Sequence, residues 1–549
     1  MSGLPGLWAV LSDNRRPGGS GYLALVLHAH LPFVRHPDYE EFLEERWLFE
    51  AITETYIPLL KVFEGLVEDR IPFRLTFILS PTLLSMLTDP LLQERYLRHL
   101  DKLIGLAERE VQRTRSQPEF NRLARDYHKH FSQCRQRFLH NYQRDLATAF
   151  SRYAKEGFLE IITTAATHAY LPVFSHQPQA VKAQIKVGID CHKRFFGESP
   201  AGFWLPECGY FPDLDKILKG EGIDFFFSDA HAILYGNPVP RYGTYAPVYT
   251  PSGTAVFARD LESSAQVWSS RTGYPGDFSY RDFYRDIGYD LNFPGRDERS
   301  PLGIKYYRIT GGEEEKSVYL PEAASRKIAE HARHFLDCRR EQIKEAGEFM
   351  ERSPLIVSPY DAELFGHWWH EGPQWLDRLF RELHYRYSEI KPVTPSEYLV
   401  SHPDNQTVRP IMSSWGVNGY SEVWLNRSNE WIYPPLHQGI DQMSELVSNY
   451  SSDREIIRRA LKQAARELLL AMSSDWPFIM KSGTVVQYAT KRVKDHLANF
   501  QRLYREIKTG VIDQSLLKNL ESRHNLFPDL DIQTLLPQYS STPVIHKLG

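Results

Sequence analysis

The chain has 549 residues, 42% apolar and 24% charged, enough for one large barrel with additions or for two to three domains. Its 65 Lys and Arg against 69 Asp and Glu leave a formal net charge of −4, which argues against a nucleic-acid binder and for a neutral partner. Four dispersed cysteines (Cys134, Cys191, Cys208, Cys338) form no CxxC pair and fit a reducing, cytoplasmic setting, and no apolar run approaches the roughly 20 residues of a membrane span.

Residues 1–20, with an Arg pair and several glycines, read as a flexible leader rather than a signal peptide. From 21 to 400 short apolar runs alternate with amphipathic stretches, the pattern of βαβ units on a parallel sheet. Strands are predicted at 22–27, 73–79, 161–165, 203–205, 225–227, 256–258 and 355–357. Seven runs ending in polar residues predict an α/β barrel of seven or eight strands, with its chemistry at the C-terminal ends of the strands. Over 89–157 the alternation gives way to a charged helical period, with Leu92, Tyr96, Leu97, Leu100, Leu103 and Ile104 on one face; a helical insertion is predicted there. The glycine-rich stretch 261–312 reads as a long functional loop. Residues 401–530 show helices alone and predict an all-helical C-terminal domain, followed by a loose tail over 531–549.

Two segments concentrate the chemistry. In Gly202-Phe-Trp204-Leu-Pro-Glu207-Cys-Gly-Tyr210 a carboxylate directly follows a strand, which in a barrel projects it into the mouth. A capping or salt-bridged Glu is the blander alternative. In Leu355-Ile-Val-Ser-Pro-Tyr-Asp361-Ala-Glu363-Leu-Phe-Gly-His-Trp368-Trp-His-Glu371 three acids and two His share a stretch with two Trp, a density that plain core packing does not explain. Two carboxylates from different strands facing one cavity suit retaining glycosyl transfer: one attacks the anomeric carbon, and the other serves as acid and then base. With 30 Tyr, 30 Phe and 11 Trp, the chain is also rich in the flat faces on which pyranose rings stack, although the same residues can fill a core.

His28 and His30 alternate along the first strand and so point to one side. They can contact sugar hydroxyls, bind a metal together with His168 or His231, or be structural. Arg259 ends another strand, and Trp268 and Gly276 lie in the long loop. Trp415 and Trp424 stand in polar, non-helical surroundings that suit a binding platform. Ser474-Asp475-Trp476-Pro477 separates two helices and can close over the cleft or simply cap a helix.

These residues resemble glycoside hydrolase family 57, and within it the α-1,4-glucan branching enzymes. His28-Ala-His-Leu-Pro32, the stretch around His168, Trp204-Leu-Pro-Glu207-Cys-Gly-Tyr210, Tyr360-Asp361-Ala-Glu-Leu-Phe-Gly-His-Trp-Trp369 and Ser414-Trp415-Gly416 resemble five family motifs in order. The resemblance implies an incomplete (β/α)7 TIM-like barrel with a helical insertion and an all-helical C-terminal domain. It further implies Glu207 as nucleophile, Asp361 as acid/base, and Arg259, Gly276, Trp415, Asp475, Trp268 and Trp424 as substrate contacts. His28, His30, His168, Trp204 and Trp368 complete the candidate binding set. No metal and no cofactor is implied, and the partner is an α-1,4-glucan such as amylose or a glycogen-like polysaccharide, with no role for nucleic acid or membrane. A monomer or small homo-oligomer is expected. Rival readings are an α-amylase or 4-α-glucanotransferase on the same scaffold, a metal-dependent amidohydrolase, and a non-catalytic glucan-binding protein.

Overall fold

The computed structural model describes residues 20–269, 272–291, 301–311, 316–450 and 454–535. Nearly all of the expected leader, most of the expected tail and part of the long loop lie outside the described residues.

Nine strands form one curled sheet: β1 (Gly21–Ala29), β2 (Leu75–Leu79), β3 (Leu159–Thr164), β4 (Gly202–Trp204), β5 (Phe225–Ser228), β6 (Val248–Tyr249), β7 (Ala255–Ala258), β8 (Leu355–Asp361) and β9 (Ile390–Pro392). Their order is β6-β7-β5-β4-β3-β2-β1-β8, with β9 filling the slot beside the start of β1. Every pairing is parallel except the short β6–β7 ladder. The seven predicted strands are β1 to β5, β7 and β8. β6 and β9, of two and three residues, are too short to leave a period in the sequence. The backbone N–H of Asp260, just past β7, donates to Val357 O of β8 at 2.8 Å. The sheet therefore curls round on itself without a closing ladder, giving an incomplete (β/α)7 barrel.

Parity along the strands explains the interior. Ala24, Val26, Ile78, Ile162, Trp204, Phe225, Phe227, Ala255, Phe257, Leu355 and Val357 pack as one inner cluster, whereas Leu23, Leu25, Leu27, Phe203 and Ile356 belong to the outer core. Alternate side chains face opposite sides of a strand. The next inward positions at the strand ends are thus His28 on β1, Asp229 after β5, Arg259 after β7 and Asp361 on β8.

Between β2 and β3 stand the helices Pro90–Arg113, Pro118–Gln136 and Leu146–Lys155. The first is set by its N-cap: the Asp89 side chain accepts from Leu92 N with Pro90 at the first helical position, where a missing N–H costs nothing. Beyond residue 400 the expectation of helices alone needs correction. Residues 402–432 are irregular and first run back across the barrel, forming bridges Tyr249↔Thr407, Asn237↔Arg409 and Tyr210↔Ser413. Only then come the helices Tyr433–Tyr450, Glu455–Ala471, Asp475–Ser482, Val486–Thr509 and Gln514–Arg523. Among the described residues no helix is long and apolar enough to cross a membrane.

Candidate active site

The site is assembled at the C-terminal ends of the strands on strained backbone. His168 (φ 54°), Glu207 (φ 61°) and Cys208 (φ 51°) all occupy the left-handed region, which costs a non-glycine residue on the order of 1–3 kcal/mol and persists only where the surroundings over-determine it. Here the surroundings come from distant segments. Trp415 N–H donates to Glu207 O at 3.0 Å, and Ser474 N–H donates to His168 O at 3.0 Å.

The same two residues hold the Glu207 carboxylate. Trp415 Nε1–H donates to Oε2 at 2.9 Å and Ser474 O–H donates to Oε1 at 2.9 Å. Because Ser474 gives its proton to Glu207, its oxygen accepts from His168 Nδ1–H at 2.9 Å, which fixes the His168 tautomer. The Ser474 hydroxyl does not cap its helix, so the capping alternative weighed for this segment is set aside. Burial pushes Glu207 up to about 7 against the two donors, with Asp361 and Asp475 adding to the rise.

Asp361 is tied into the same group. His28 Nδ1–H donates to Asp361 Oδ1 at 3.1 Å. The ring of His28 stacks on His168 (4.8 Å) and on Trp204 (5.0 Å), and His30 stacks on His168 at 4.0 Å. Burial lowers the pKa of His28; burial and the two neighbouring imidazoles push His168 well below its ordinary value. Burial opposes a charge on His30 too, but Asp475, 3.1 Å from its Nε2, outweighs it and raises its pKa. Asp475 answers in kind: burial disfavours its charge, and His30 with Ser473 holds it down. Ser80 takes the other nitrogen of His30 at 2.9 Å. His28 Nε2 and His168 Nε2 have no protein partner, and the three histidines are not among the described residues whose donor atoms gather closely enough to hold a metal ion.

The predicted residues divide. Glu207, Asp361, His28, His30, His168, Trp415 and Asp475 come together. Arg259 pairs with Asp229 at 2.6 Å and lies 6.0 Å over the Trp415 ring, and half-open Trp268 meets Trp415 edge-on at 5.9 Å. Two tryptophans expected to face ligand do not. Trp204 is fully buried beneath His28 and Trp415. Trp424 is 2% exposed, stacked on Tyr170 at 4.6 Å and packed under Gly416. Both support the wall from behind, because neighbours unknown to the local sequence cover them. Gly276 closes a short turn through its N–H to Gly273 O at 3.3 Å, and no described contact ties it to either carboxylate. Trp368 lies outside the cluster and is 53% exposed. The direct role of Ser474 was not read from the sequence; its only signal was a Ser-Ser-Asp corner between two helices.

The glycosyl hydrolase family 57 model matches residues 24–411, and a model described as the C-terminal region of 1,4-α-glucan branching enzymes matches residues 435–534. A 1,4-α-glucan branching enzyme of Thermococcus kodakarensis is 34% identical over 92% of this chain and 77% of its own length. Among solved structures, the α-amylase AmyC of Thermotoga maritima is 42% identical with a TM-score of 0.88, covering 94% of this chain and 99% of that one. A family 57-type branching enzyme of Pyrococcus horikoshii is 32% identical with a TM-score of 0.86, covering 94% and 97%.

Proposed function

The chain belongs to glycosyl hydrolase family 57, and from that premise we propose that it is a 1,4-α-glucan branching enzyme with Glu207 as nucleophile and Asp361 as acid/base. The observation that carries the reading is the pair of carboxylates, one from the end of β4 and one from β8, joined through the stacked rings of His168 and His28. A carboxylate accepting one hydrogen bond on each oxygen is suited to react as an anion. Asp361, with 35% of its side chain exposed, can exchange protons with whatever enters the mouth.

Glu207 attacks C1 of a glucosyl unit while Asp361 gives its proton to the glycosidic oxygen. The C1–O4 bond breaks, and the shortened chain leaves with a new 4-hydroxyl. A 6-hydroxyl of an acceptor glucan then attacks C1, Asp361 takes its proton, and Glu207 departs as a carboxylate. One α-1,4 linkage is lost and one α-1,6 linkage gained, with configuration retained. Arg259, Trp268 and Trp415 line the donor side of the cleft in this reading, His28, His30, His168 and Asp475 orient hydroxyls and the reacting groups, and Gly276 and Trp368 belong to its outer reaches. The product is a storage glucan of the glycogen type. All four cysteines are free thiols, which supports a reducing compartment, the cytoplasm. The chain acts as a monomer or small homo-oligomer.

A second reading, α-amylase, is favoured by the likeness to AmyC, whereas the match over 435–534 favours branching. Proton NMR of amylose after incubation separates them: branching gives new α-1,6 anomeric signals, and their absence with rising reducing ends assigns hydrolysis. Glu207→Gln must abolish either activity while glucan binding persists.

A further inference from the structure

Outside the catalytic cluster the molecule holds a second ordered aromatic assembly. Trp368 stacks on Phe283 with ring centres 4.6 Å apart and planes at 30°, and Lys305 Nζ sits 4.2 Å over the Phe283 ring. Lys305 is buried, Phe283 half-buried, Trp368 53% exposed and the adjoining Tyr284 81% exposed. The series thus runs from a buried cation through two rings to solvent.

Each layer is held in place. The Asp282 carboxylate accepts from Tyr284 N at 2.7 Å and Arg285 N at 3.1 Å and pairs with Lys316 at 2.7 Å, fixing the turn that carries Phe283 and Tyr284. His367 lies edge-on to both Phe283 and Trp368 and is anchored on Glu54 at 2.6 Å. The turn before it admits only glycine: Gly366 has φ +114°, and a Cβ there would stand 1.8 Å from Glu54 O. Trp368 N–H donates to Glu363 O at 3.2 Å, and the carboxylate of Glu363 accepts from His30 N at 3.2 Å. The assembly is therefore built directly onto the segment that leaves Asp361. The internal packing does not need a half-exposed tryptophan locked this firmly, whereas a ligand that stacks on a preorganised face gains from it.

We propose that the outer face of Trp368, with Tyr284 set edge-on against the same Phe283, is a glucan platform on the acceptor side of the cleft. The inference rests on the retaining mechanism above. The acid/base group touches the glycosidic oxygen, so the residues continuing from Asp361 border the half of the cleft that releases the leaving chain and admits the acceptor. A neutral pyranose face is the chemistry an uncharged, flat ring takes, and holding the acceptor there gives its hydroxyl the advantage over water.

The test uses the full chain. In the Glu207→Gln background, Trp368→Ala weakens the affinity for maltoheptaose, read by calorimetry, about tenfold, the loss of one stacking contact. In the otherwise unaltered enzyme, Trp368→Ala and Tyr284→Ala lower the ratio of new α-1,6 linkages to released reducing ends, and Trp368→Phe restores it. Unchanged affinity and unchanged ratio in a variant that keeps its melting temperature overturn the proposal, as does a Trp368→Ala effect confined to oligomeric state. Should Trp368→Ala fail to fold, Tyr284→Ala carries the test. A wild-type enzyme that forms no α-1,6 linkage refutes the branching reading instead, and the calorimetric comparison still decides the platform.

Discussion

Replacing Ser474 with Ala removes one of two donors to the Glu207 carboxylate and leaves the backbone intact. A hydrogen bond to a charged group contributes about 1.5–3 kcal/mol, and 1.36 kcal/mol corresponds to one pKa unit. The Glu207 side chain retains 15% exposure, so water replaces part of the loss and the lower end applies, roughly one unit upward from about 7. As the proposed nucleophile, Glu207 must be ionised to attack, so the acidic limb of kcat/KM moves to higher pH. By the same one-unit arithmetic, turnover at pH 6 falls about tenfold, whereas above pH 9 wild type and variant converge. Initial rates on amylose across this range read the shift directly, and Ser474→Thr should restore the wild-type limb. A uniform loss at every pH, with the limb unmoved, would falsify the assignment of Ser474 as a donor that tunes the nucleophile.

Three further outcomes follow from the same structure. Glu207 ionises in the folded protein only near 7 against an ordinary 4.5, so its burial costs stability that grows as pH rises from 4.5 to 7, to about 3 kcal/mol. Glu207→Gln should accordingly melt higher than wild type at pH 8 and alike at pH 4; equal melting at both removes the argument. In the helical region, buried Glu467 accepts from His496 at 2.7 Å, His524 at 2.6 Å, Gln463 at 2.8 Å and Asn499 at 3.2 Å; against the penalty of burial, the two histidines hold it well below the usual carboxylate range. Its contribution is present above pH 4.5 and lost on acidification, and Glu467→Gln should cost about 3–5 kcal/mol at pH 7, read as a fall in melting temperature that narrows towards acid. Trp268→Ala should raise KM for amylose with kcat largely kept, because the ring offers binding and no chemistry; a fall in kcat alone contradicts that.

Much of this was legible in the sequence because strand parity is local. Once residues 22–27 and 355–357 are read as strands of a barrel, the faces of His28 and Asp361 follow, and a carboxylate one turn past a strand, as at Glu207, marks the mouth. Exposure was not legible, since it depends on what other segments bring. Trp424 sits in polar sequence and yet is covered by Tyr170, 254 residues away by numbering. The course of residues 402–432 escaped for a related reason: isolated bridges to three separate places on the barrel leave no period. Ser474 reaches Glu207 across 267 residues, a contact written only in the packing of the helical region onto the barrel.

That contact makes the helical region part of the proposed active site, and a single substitution can isolate its backbone contribution. Ser474 has φ −65°, the value proline imposes, and Ser473 before it lies in a β-bridge with Ala169 rather than in a helix, which suits a residue preceding proline. Ser474→Pro is therefore tolerated by the local backbone but removes both the hydroxyl and the N–H that holds His168 O. A strained left-handed residue costing on the order of 1–3 kcal/mol is then left without a bond contributing about 1 kcal/mol, and His168 loses the geometry that couples it to Glu207 and His28. At pH 9, where the hydroxyl no longer matters because Glu207 is ionised in either case, Ser474→Pro should remain at least about fivefold less active than Ser474→Ala, the rate equivalent of that 1 kcal/mol. Equal rates for the two variants at pH 9 would mean that the strained loop stands without its clamp, and that the helical region contributes the hydroxyl alone.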